Sequence, residues 1–556
     1  MDSRYFDRDT TKLKTTPFGI FTDQAGYFPA MSKKAVIPFE CDSFEVTDIN
    51  GKVCFSGKTT HFGMDEHSGD DVYIADLTDF CEKGSYRVNA GGKTSAVFTI
   101  SDDVYSPVLH DTLKAFYYLR CGCELDERYA GVYKHGKCHT GKAVLWDDNS
   151  VAVDACGGWH DAGDYGRYVT AGACAAAHLL YAYKMFPKVF DRMDMDIPKG
   201  NAPDILTECR YELEWLMKMQ SPDGGAYHKL TTKVHAPFIM PEDDREQLFV
   251  FPVSSMATAD LAAVCALASG IYRKYDGGFA EKLKNTAEKA MAWLGSHDEF
   301  IGFTNPHGCN TGGYGERDDL SNRYWAYGEM FALTGERIYE EKLKSLAERG
   351  FPLTGLGYAE MGGLGSLAHI LCTFEKDTDF SHKLKDAFAH RAGYLRTLSE
   401  KCGYDVAMHI GEYYWGSNMN LLKNGMIFAI DEHLNGNDRA SNAASQMHYL
   451  LGANALGISY VTGTGEFRCN YPHLRPSFAD GIEECIPGMV AGGPNHIPGD
   501  PFAKEVIKPG TPPMKCYADD AASYSLNEIT IYWNSPAVFL LGFLCDRYGD
   551  DGQESL

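Results

Sequence analysis

Short runs of alternating apolar and polar residues, separated by turn residues, occupy the first hundred positions. The turns include Asn50-Gly51 and Gly91-Gly92. Several short strands at this spacing are typical of a β-sandwich. We therefore predict a small sandwich over residues 1–103, with strands at 34–38, 44–48, 72–75, 86–89 and 96–100.

The pattern changes to a helical spacing of apolar residues from Ser106-Pro107 onward, where Ser is suited to the N-cap and Pro to the first helical position. A last helix is predicted to open at Ser535-Pro536. About a dozen helices in residues 104–556 predict a mainly α domain, either a closed double layer of helical hairpins or a large irregular bundle. The other helices are predicted at 171–186, 202–220, 255–275, 279–294, 320–334, 337–349, 358–374, 381–399, 418–434 and 439–451.

Composition narrows the range of partners. The 556-residue chain has a formal net charge of −24, which disfavours nucleic acid and anionic membranes but not neutral sugars. No apolar run approaches the roughly 18 to 20 residues of a membrane span. Residues 1–14 are polar, which predicts a cytoplasmic protein, or a secreted one whose signal has been removed. The 17 cysteines, an odd number without a dense framework, predict reduced thiols with a few on a metal.

The first candidate site is the segment GGWHDAGDYGRY at 157–168. Asp161 and Asp164 stand three positions apart among glycines that permit a tight backbone, and Trp159 and Tyr165 put aromatic surface beside them. Paired carboxylates beside rings suit acetal hydrolysis, in which one deprotonates a water that the other helps to hold. A calcium loop or a capped turn fits the same spacing.

The second candidate is Glu528 in YSLNEITIYWN, where apolar and aromatic neighbours should raise its pKa and keep it protonated as a general acid. A Glu at a helix start would instead be ionised. His473 and Arg475, two apart in a loop, can donate to sugar hydroxyls, and Trp415 can stack on a pyranose ring. For a single His, a purely structural role is the commoner explanation.

A possible metal site involves the adjacent pair Cys138-His139. Cys121 and Cys123 precede it, and His160 stands beside Asp161. Two Cys and two His form a closed structural zinc set, but the spacing is not that of a common zinc finger, and buried free thiols are the simpler interpretation of the residues alone.

Five segments together resemble family nine of the glycoside hydrolases. They are GGWHDAGDYGRY, LLGANALGISYVTGTGEF, PHLR, VAGGPN and the Tyr524/Asn527/Glu528 segment, in the family's order. Residues 23–37, DQAGYFPAMSKKAVI, resemble the immunoglobulin-like module that precedes the catalytic domain in one branch. The resemblance implies an (α/α)6 barrel that cleaves β-1,4-glucans with inversion.

By residue match, the resemblance makes Asp164 the base, Glu528 the acid and Asp161 a residue that positions water. His473 and Arg475 match the family's sugar-contacting pair, and we add Trp415, Trp159, Tyr165 and Tyr524 as substrate contacts. It also implies a structural zinc on Cys121, Cys138, His139 and His160, which replaces the free-thiol interpretation. The choice of Cys121 over Cys123 follows its RCG context. The resemblance further implies structural calcium, without identifying its ligands.

Two departures from the family pattern lie near Glu528. The segment before the acid has Asp519-Asp520, separated from Glu528 by a longer gap, and Pro536 occupies a position where the family usually has Gly or a similar small residue. We expect a cellodextrinase acting on soluble oligomers. The alternatives are a secreted endo-β-1,4-glucanase on polymeric or mixed-linkage glucan and an exo-acting enzyme on related oligosaccharides. A catalytic-zinc hydrolase and a sugar-binding protein without activity are the other classes considered. The sequence fixes neither endo or exo action nor the oligomeric state.

Overall fold

The computed structural model describes residues 16–549. The polar stretch at 1–14, on which the cytoplasmic prediction depends, lies outside the described residues. Nine strands precede the first helix: Gly26–Tyr27 (β1), Lys34–Ile37 (β2), Ser43–Asp48 (β3), Val53–Lys58 (β4), Thr60–Met64 (β5), Asp71–Asp76 (β6), Gly84–Ala90 (β7), Lys93–Thr94 (β8) and Phe98–Ile100 (β9).

These strands form two sheets. One has the order β1-β9-β7-β3-β4, with β8 paired to β7, and the other has the order β2-β6-β5. Apolar side chains on the inner faces of the sheets, such as Val46 and Val88, are fully buried. The five predicted strands are present as β2, β3, β6, β7 and β9, whereas β1, β4, β5 and β8 were not predicted. Strands β1 and β8 have only two residues each. Strands β4 and β5 are edge strands with mostly exposed or half-exposed residues, so they lack the alternation that marks a strand with one buried face.

Most of the regular structure in the remaining described chain is helical. Their bounds are Ser106–Tyr118 (α1), Glu127–Ala130 (α2), Val169–Met185 (α3), Pro187–Asp191 (α4), Asp204–Lys218 (α5), Ser255–Tyr272 (α6), Gly277–Ser296 (α7), Leu320–Thr334 (α8), Arg337–Ala347 (α9), Gly362–Leu371 (α10), Thr378–Ser399 (α11), Ser417–Asn435 (α12), Ala440–Leu450 (α13), Arg475–Ala479 (α14), Pro501–Val506 (α15), Tyr524–Asn527 (α16) and Ile531–Tyr548 (α17).

Local signals explain several helix ends. Side chains of Ser254 and Asp276 accept hydrogen bonds from the first turns of α6 and α7, and Gly335 ends α8 in the left-handed conformation. The prediction for the last helix was wrong at its start. Helix α17 begins at Ile531, so Pro536 lies inside it.

Seven short strands lie in the loops between helices: Ala143–Leu145 (β10), Ala152–Val153 (β11), Arg167–Tyr168 (β12), Ala226–Tyr227 (β13), Lys229–Thr231 (β14), Phe249–Val250 (β15) and Val253–Ser254 (β16). Five of them form a sheet in the order β11-β10-β15-β14-β12. Strand β12 pairs antiparallel with β14 and thereby fixes the end of the 157–168 segment.

The chain divides into two compact units. One runs to Ala115 and resumes at Arg391, and the other is Phe116–His390. Within the first unit, the sandwich is joined to distant segments. The side-chain amide of Gln24 donates to the carbonyls of Gly457 and Phe467 at 3.0 and 2.9 Å, and Arg87 pairs with Glu466 at 3.0 Å.

Helix α6 is the single described helix that is long and apolar enough to span a membrane. The sequence analysis did not identify it, because polar residues interrupt its apolar run. However, 89% of that stretch is buried inside the protein. Its mostly apolar sequence reflects burial on nearly all sides, as in other core helices.

Candidate active site and metal centre

The 157–168 segment is a tight loop that carries both predicted aspartates. Gly157 and Gly158 have φ values of +117° and +77°, and a side chain at Gly158 would collide with the ring of Trp215. The amide of Asp161 donates to the carbonyl of Gly166 at 2.9 Å, which closes the loop on itself.

The two carboxylates have different surroundings. Asp161 is 1% exposed and accepts a hydrogen bond from the hydroxyl of Tyr314. Burial raises the pKa of Asp161 well above its usual range, with a further increase from the charge of Asp164 that the Tyr314 bond opposes. Asp164 is 6% exposed, accepts a bond from the Tyr168 hydroxyl at 3.2 Å and faces Nδ1 of His235 at 3.1 Å.

Asp164 is therefore the better placed of the two to act on a water molecule. It lines a recess together with His235, whereas Asp161 is enclosed and tethered. Sequence reasoning missed three partner residues of the carboxylates. Tyr168 lies in the same segment but was not singled out, whereas His235 and Tyr314 are distant in sequence and nothing around them marks the contact.

Cys121, Cys138, His139 and His160 converge on one point. Their ligand atoms, one from each residue, all lie within 4.8 Å of one another, and all four residues are buried. Nδ1 of His139 and Nε2 of His160 find no hydrogen-bond partner among the described residues, which is costly for buried nitrogens unless a cation lies between them.

This set fits a tetrahedral metal ion with two sulfur and two nitrogen ligands. Nε2 of His139 lies 3.3 Å from the carboxylate of Asp244, the arrangement in which a carboxylate orients a metal-bound imidazole. The protein thus contains a candidate metal site. Cys123, the other upstream thiol, is outside the four.

The structure corrects the role of Trp159. Its ring is 1% exposed and packs against Phe116, and its indole N–H donates to Glu208 at 2.8 Å. The predicted substrate contact is therefore wrong for the buried ring of Trp159. Tyr165 also faces inward, with its ring against His139 and His160 and its hydroxyl donating to the carbonyl of Ile239. Its predicted sugar contact would be limited to the edge that lines the Asp164 recess.

Glu528 lies in extended backbone between α16 and α17, not at a helix start. Its carbonyl accepts from the amide of Gly492 at 2.8 Å, and its backbone also pairs with His473 in a parallel bridge. Irregular loops on two sides therefore hold the backbone of the predicted acid.

His473 is fixed by its backbone and its ring. Its amide donates to the carbonyl of Asn527 at 2.8 Å, and Nδ1 donates to the carbonyl of Ala521 at 2.6 Å. Because a carbonyl can only accept, a neutral His473 carries its proton on Nδ1 and presents Nε2 as an acceptor. Arg475, the other half of the predicted pair, begins α14 and is largely buried.

Asp519 connects the segments that carry His473 and Glu528. Its carboxylate accepts from the amides of Asn470 and Tyr471, both at 2.9 Å, and from the side-chain amide of Asn527 at 3.0 Å. The departure noted before the acid thus has a structural role, which the sequence did not indicate.

Trp415 and Tyr524 form an aromatic surface in the same unit. Trp415 is 45% exposed, its ring centre lies 5.3 Å from that of Tyr524, and His473 lies 6.0 Å beyond Tyr524. An exposed indole of this kind is suited to stacking on the apolar face of a sugar ring.

Comparisons with known proteins agree on one family. The family described as "Glycosyl hydrolase family 9" matches residues 105–541, and "Cellulase N-terminal ig-like domain" matches residues 16–95. A cellodextrinase of Butyrivibrio fibrisolvens is 45% identical over 542 residues, covering 94% of this chain and 98% of the relative. Endoglucanase D of Acetivibrio thermocellus is 33% identical, covering 93% of this chain and 82% of the relative.

Solved structures lead to the same family. A structure of AaCel9A in complex with cellobiose-like isofagomine is 34% identical with a TM-score of 0.90, covering 95% of this chain and 100% of that one. A Zn-binding triple mutant of the family 9 endoglucanase J30 is 31% identical with a TM-score of 0.88, covering 94% of this chain and 100% of that one. The predicted fold class, an (α/α)6 barrel preceded by an immunoglobulin-like sandwich, is confirmed. The chain belongs to glycosyl hydrolase family 9 and is a glycosidase.

Proposed function

We propose that this enzyme hydrolyses β-1,4-glucosidic bonds of cellodextrins with inversion, with Asp164 as base and Glu528 as acid. The observation that carries the proposal is the pair of unlike carboxylates in the 157–168 loop, with Asp161 enclosed and tethered and Asp164 lining a recess. Similarity to the Butyrivibrio cellodextrinase over nearly the whole chain supports the choice of substrate.

In this mechanism, Asp164 removes a proton from a water as that water attacks the anomeric carbon, and Glu528 protonates the departing glycosidic oxygen. Tyr168 and His235 orient the Asp164 carboxylate through the contacts described above. Trp415 and Tyr524 stack on glucose units, and His473, beside Tyr524, contacts a sugar hydroxyl.

Zinc is the ion proposed for the Cys121/Cys138/His139/His160 site. Four protein ligands complete a tetrahedron and leave no open position, so the ion would supply structural crosslinking and not a metal-activated water. The backbone of His160 continues directly into Asp161, so the ion would hold the base loop in place. Calcium remains a prediction without assigned ligands, and cytoplasmic action also remains a prediction.

A proton NMR time course with cellotetraose tests the function. Wild type should release α-anomers first, while Asp164→Asn and Glu528→Gln should each lose at least ~10³-fold in kcat, because each lacks one of the two proton transfers. Glu505→Gln, an exposed carboxylate on α15, is the control and should match wild type.

Initial release of β-anomers would contradict inversion. Full activity of either variant would contradict that residue's role. Wild type that leaves cellotetraose intact but cleaves another β-linked oligomer would contradict the substrate and not the chemistry.

A further inference from the structure

Two glutamates on one face of α5 contact the backbone and a side chain of the base loop. Glu208 and Glu212 are one helical turn apart, and each is at most 1% exposed. Charged side chains are almost never fully buried without specific partners, so their contacts indicate what they are for.

Glu212 holds the backbone of the base loop. One of its carboxylate oxygens accepts the amide hydrogen of Trp159 at 2.7 Å, and Trp159 is two residues before Asp161. Without this acceptor, the buried amide of Trp159 would lose its hydrogen bond in a region closed to water.

Glu208 holds the same residue through its side chain. It accepts the indole N–H of Trp159 at 2.8 Å, and Arg120 neutralises it with bonds of 3.0 Å from Nε and 2.7 Å from Nη2. Trp159 is thus held at its backbone and at its ring by consecutive turns of α5.

The opposite edge of the loop is fixed by backbone hydrogen bonds. The amide of Cys121 donates to the carbonyl of Gly158, and the amide of His160 donates to the carbonyl of Leu119, both at 2.7 Å. Residues 158–160 therefore have backbone anchors on one side and the two glutamates on the other, directly before Asp161 and Asp164.

We infer that Glu208 and Glu212 are positioning residues for the catalytic base, acting through Trp159, and this inference rests on the proposed function of Asp164. A positioning residue of this kind sets the direction of the Asp164 carboxylate and not the affinity for the sugar. Its loss lowers kcat and leaves KM in place.

The experiment compares Glu212→Leu, Glu212→Gln and Trp159→Phe with wild type on two substrates, cellotetraose and β-cellobiosyl fluoride. Fluoride leaves with little help from an acid, so the second substrate reports mainly on the base and its water. Glu212→Leu should lose roughly tenfold or more in kcat on both substrates, with KM within about twofold, because small misplacements of a reacting group are costly. Trp159→Phe, which keeps an aromatic side chain but removes the indole N–H that bonds Glu208, should show the same pattern more weakly.

Glu212→Gln retains an oxygen acceptor for the Trp159 amide and should restore kcat to within about twofold of wild type. Glu329→Leu is the matched control. Glu329 is likewise buried and accepts a tyrosine hydroxyl and an indole N–H, from Tyr181 and Trp325, but it does not contact the base loop. It should lower the melting temperature to a similar extent without lowering kcat.

The inference is overturned if Glu212→Leu keeps wild-type kcat, if its defect lies in KM, or if Glu212→Gln is as impaired as Glu212→Leu. If Glu212→Leu fails to fold, a wild-type kcat in Trp159→Phe is sufficient by itself to overturn the inference. If Asp164→Asn is active, the proposed function fails. An inactive Asp164→Asn with unimpaired Glu212→Leu refutes the positioning role alone.

Discussion

The base and the acid are held in place by different kinds of interaction. Around Asp164, the loop is fixed by the buried glutamates Glu208 and Glu212 and by four converging side chains of metal-ligand type. Around Glu528, the segment is fixed by backbone hydrogen bonds to Gly492 and by neutral amides gathered on Asp519. The comparison teaches that the two proton-transfer groups should respond to different perturbations.

The largest expected effect separates the two carboxylates by leaving group. Glu528→Gln should lose at least ~10³-fold on cellotetraose but far less on β-cellobiosyl fluoride, since fluoride needs little protonation. Asp164→Asn should be impaired on both. Steady-state kinetics on the two substrates checks this, and equal losses of Glu528→Gln on both would contradict its role as the acid.

Metal loss should act on the base side. Cys138→Ser, or chelation, should lower the melting temperature and reduce kcat by about 10- to 100-fold on both substrates, because the loop that carries Asp164 loses an anchor. Calorimetry with metal analysis is the measurement. Cys123→Ser is the matched control and should retain its metal and melting temperature. An unchanged melting temperature with full activity in Cys138→Ser would contradict the structural role.

Asp519 should affect the acid side alone. Asp519→Ala removes the acceptor shared by Asn470, Tyr471 and Asn527 and should lower kcat on cellotetraose by roughly tenfold. Activity on β-cellobiosyl fluoride should stay near wild type, and Asp519→Asn should recover part of the loss. An equal loss on both substrates would instead indicate a general defect in the fold.

Removal of the exposed indole should change binding more than chemistry. Trp415→Ala should raise KM for cellotetraose by about two- to tenfold with kcat preserved, since aromatic stacking contributes about 0.5–1.5 kcal/mol. Tyr394→Ala, another exposed aromatic in the same unit, is the control. A KM no higher than that of the control would remove Trp415 from the binding surface.

The smallest effect concerns pH and stability. Burial raises the pKa of Glu212 to about 8 and that of Glu329 to about 7. In the unfolded chain each of these carboxyls loses its proton near its ordinary pKa of 4.5, whereas in the folded protein it keeps the proton to a higher pH. The free energy of unfolding therefore falls as the pH rises from about 4.5 to the folded pKa of each group. Replacement by Gln removes the titrating group, so the melting temperature should fall less with rising pH than in wild type. The difference should extend to about pH 8 for Glu212→Gln and to about pH 7 for Glu329→Gln. Parallel curves for wild type and variants would contradict both shifts.

Much of the architecture was predictable because the spacing of apolar residues along a helix or strand reflects which of its faces is buried. Helix α8 has the bounds the apolar pattern gave, and most other predicted helices differ by a few residues. The prediction failed where burial and periodicity separate. Edge strands β4 and β5 lack a buried face, and α17 tolerates Pro536 inside it, so the Ser-Pro signal gave a false start.

The candidate site was predictable only in its motif residues. The motifs identified Asp161, Asp164 and Glu528, and the resemblance supplied the four residues that the fold brings together as a candidate metal site. The supporting groups could not be found in this way. Glu208 and Glu212 look like ordinary polar positions of an amphipathic helix, and only the three-dimensional structure shows that they are buried against Trp159. Trp159 itself was misassigned because an aromatic residue beside an acid is equally consistent with stacking and with packing.

The links between the sandwich and the later part of the chain bear on how the protein is made. Gln24 bonds to residues 433 and 443 positions away, and Lys515 reaches Asp70 across 445 positions. A ribosome finishes the sandwich long before it adds these partners, so the surface that will meet them remains uncovered through most of translation. Contacts between residues so far apart in sequence form late and slowly in folding. The segment that carries Glu528 is synthesised in the same late period. The enzyme therefore acquires its acid only after the sandwich and the base loop have both been synthesised.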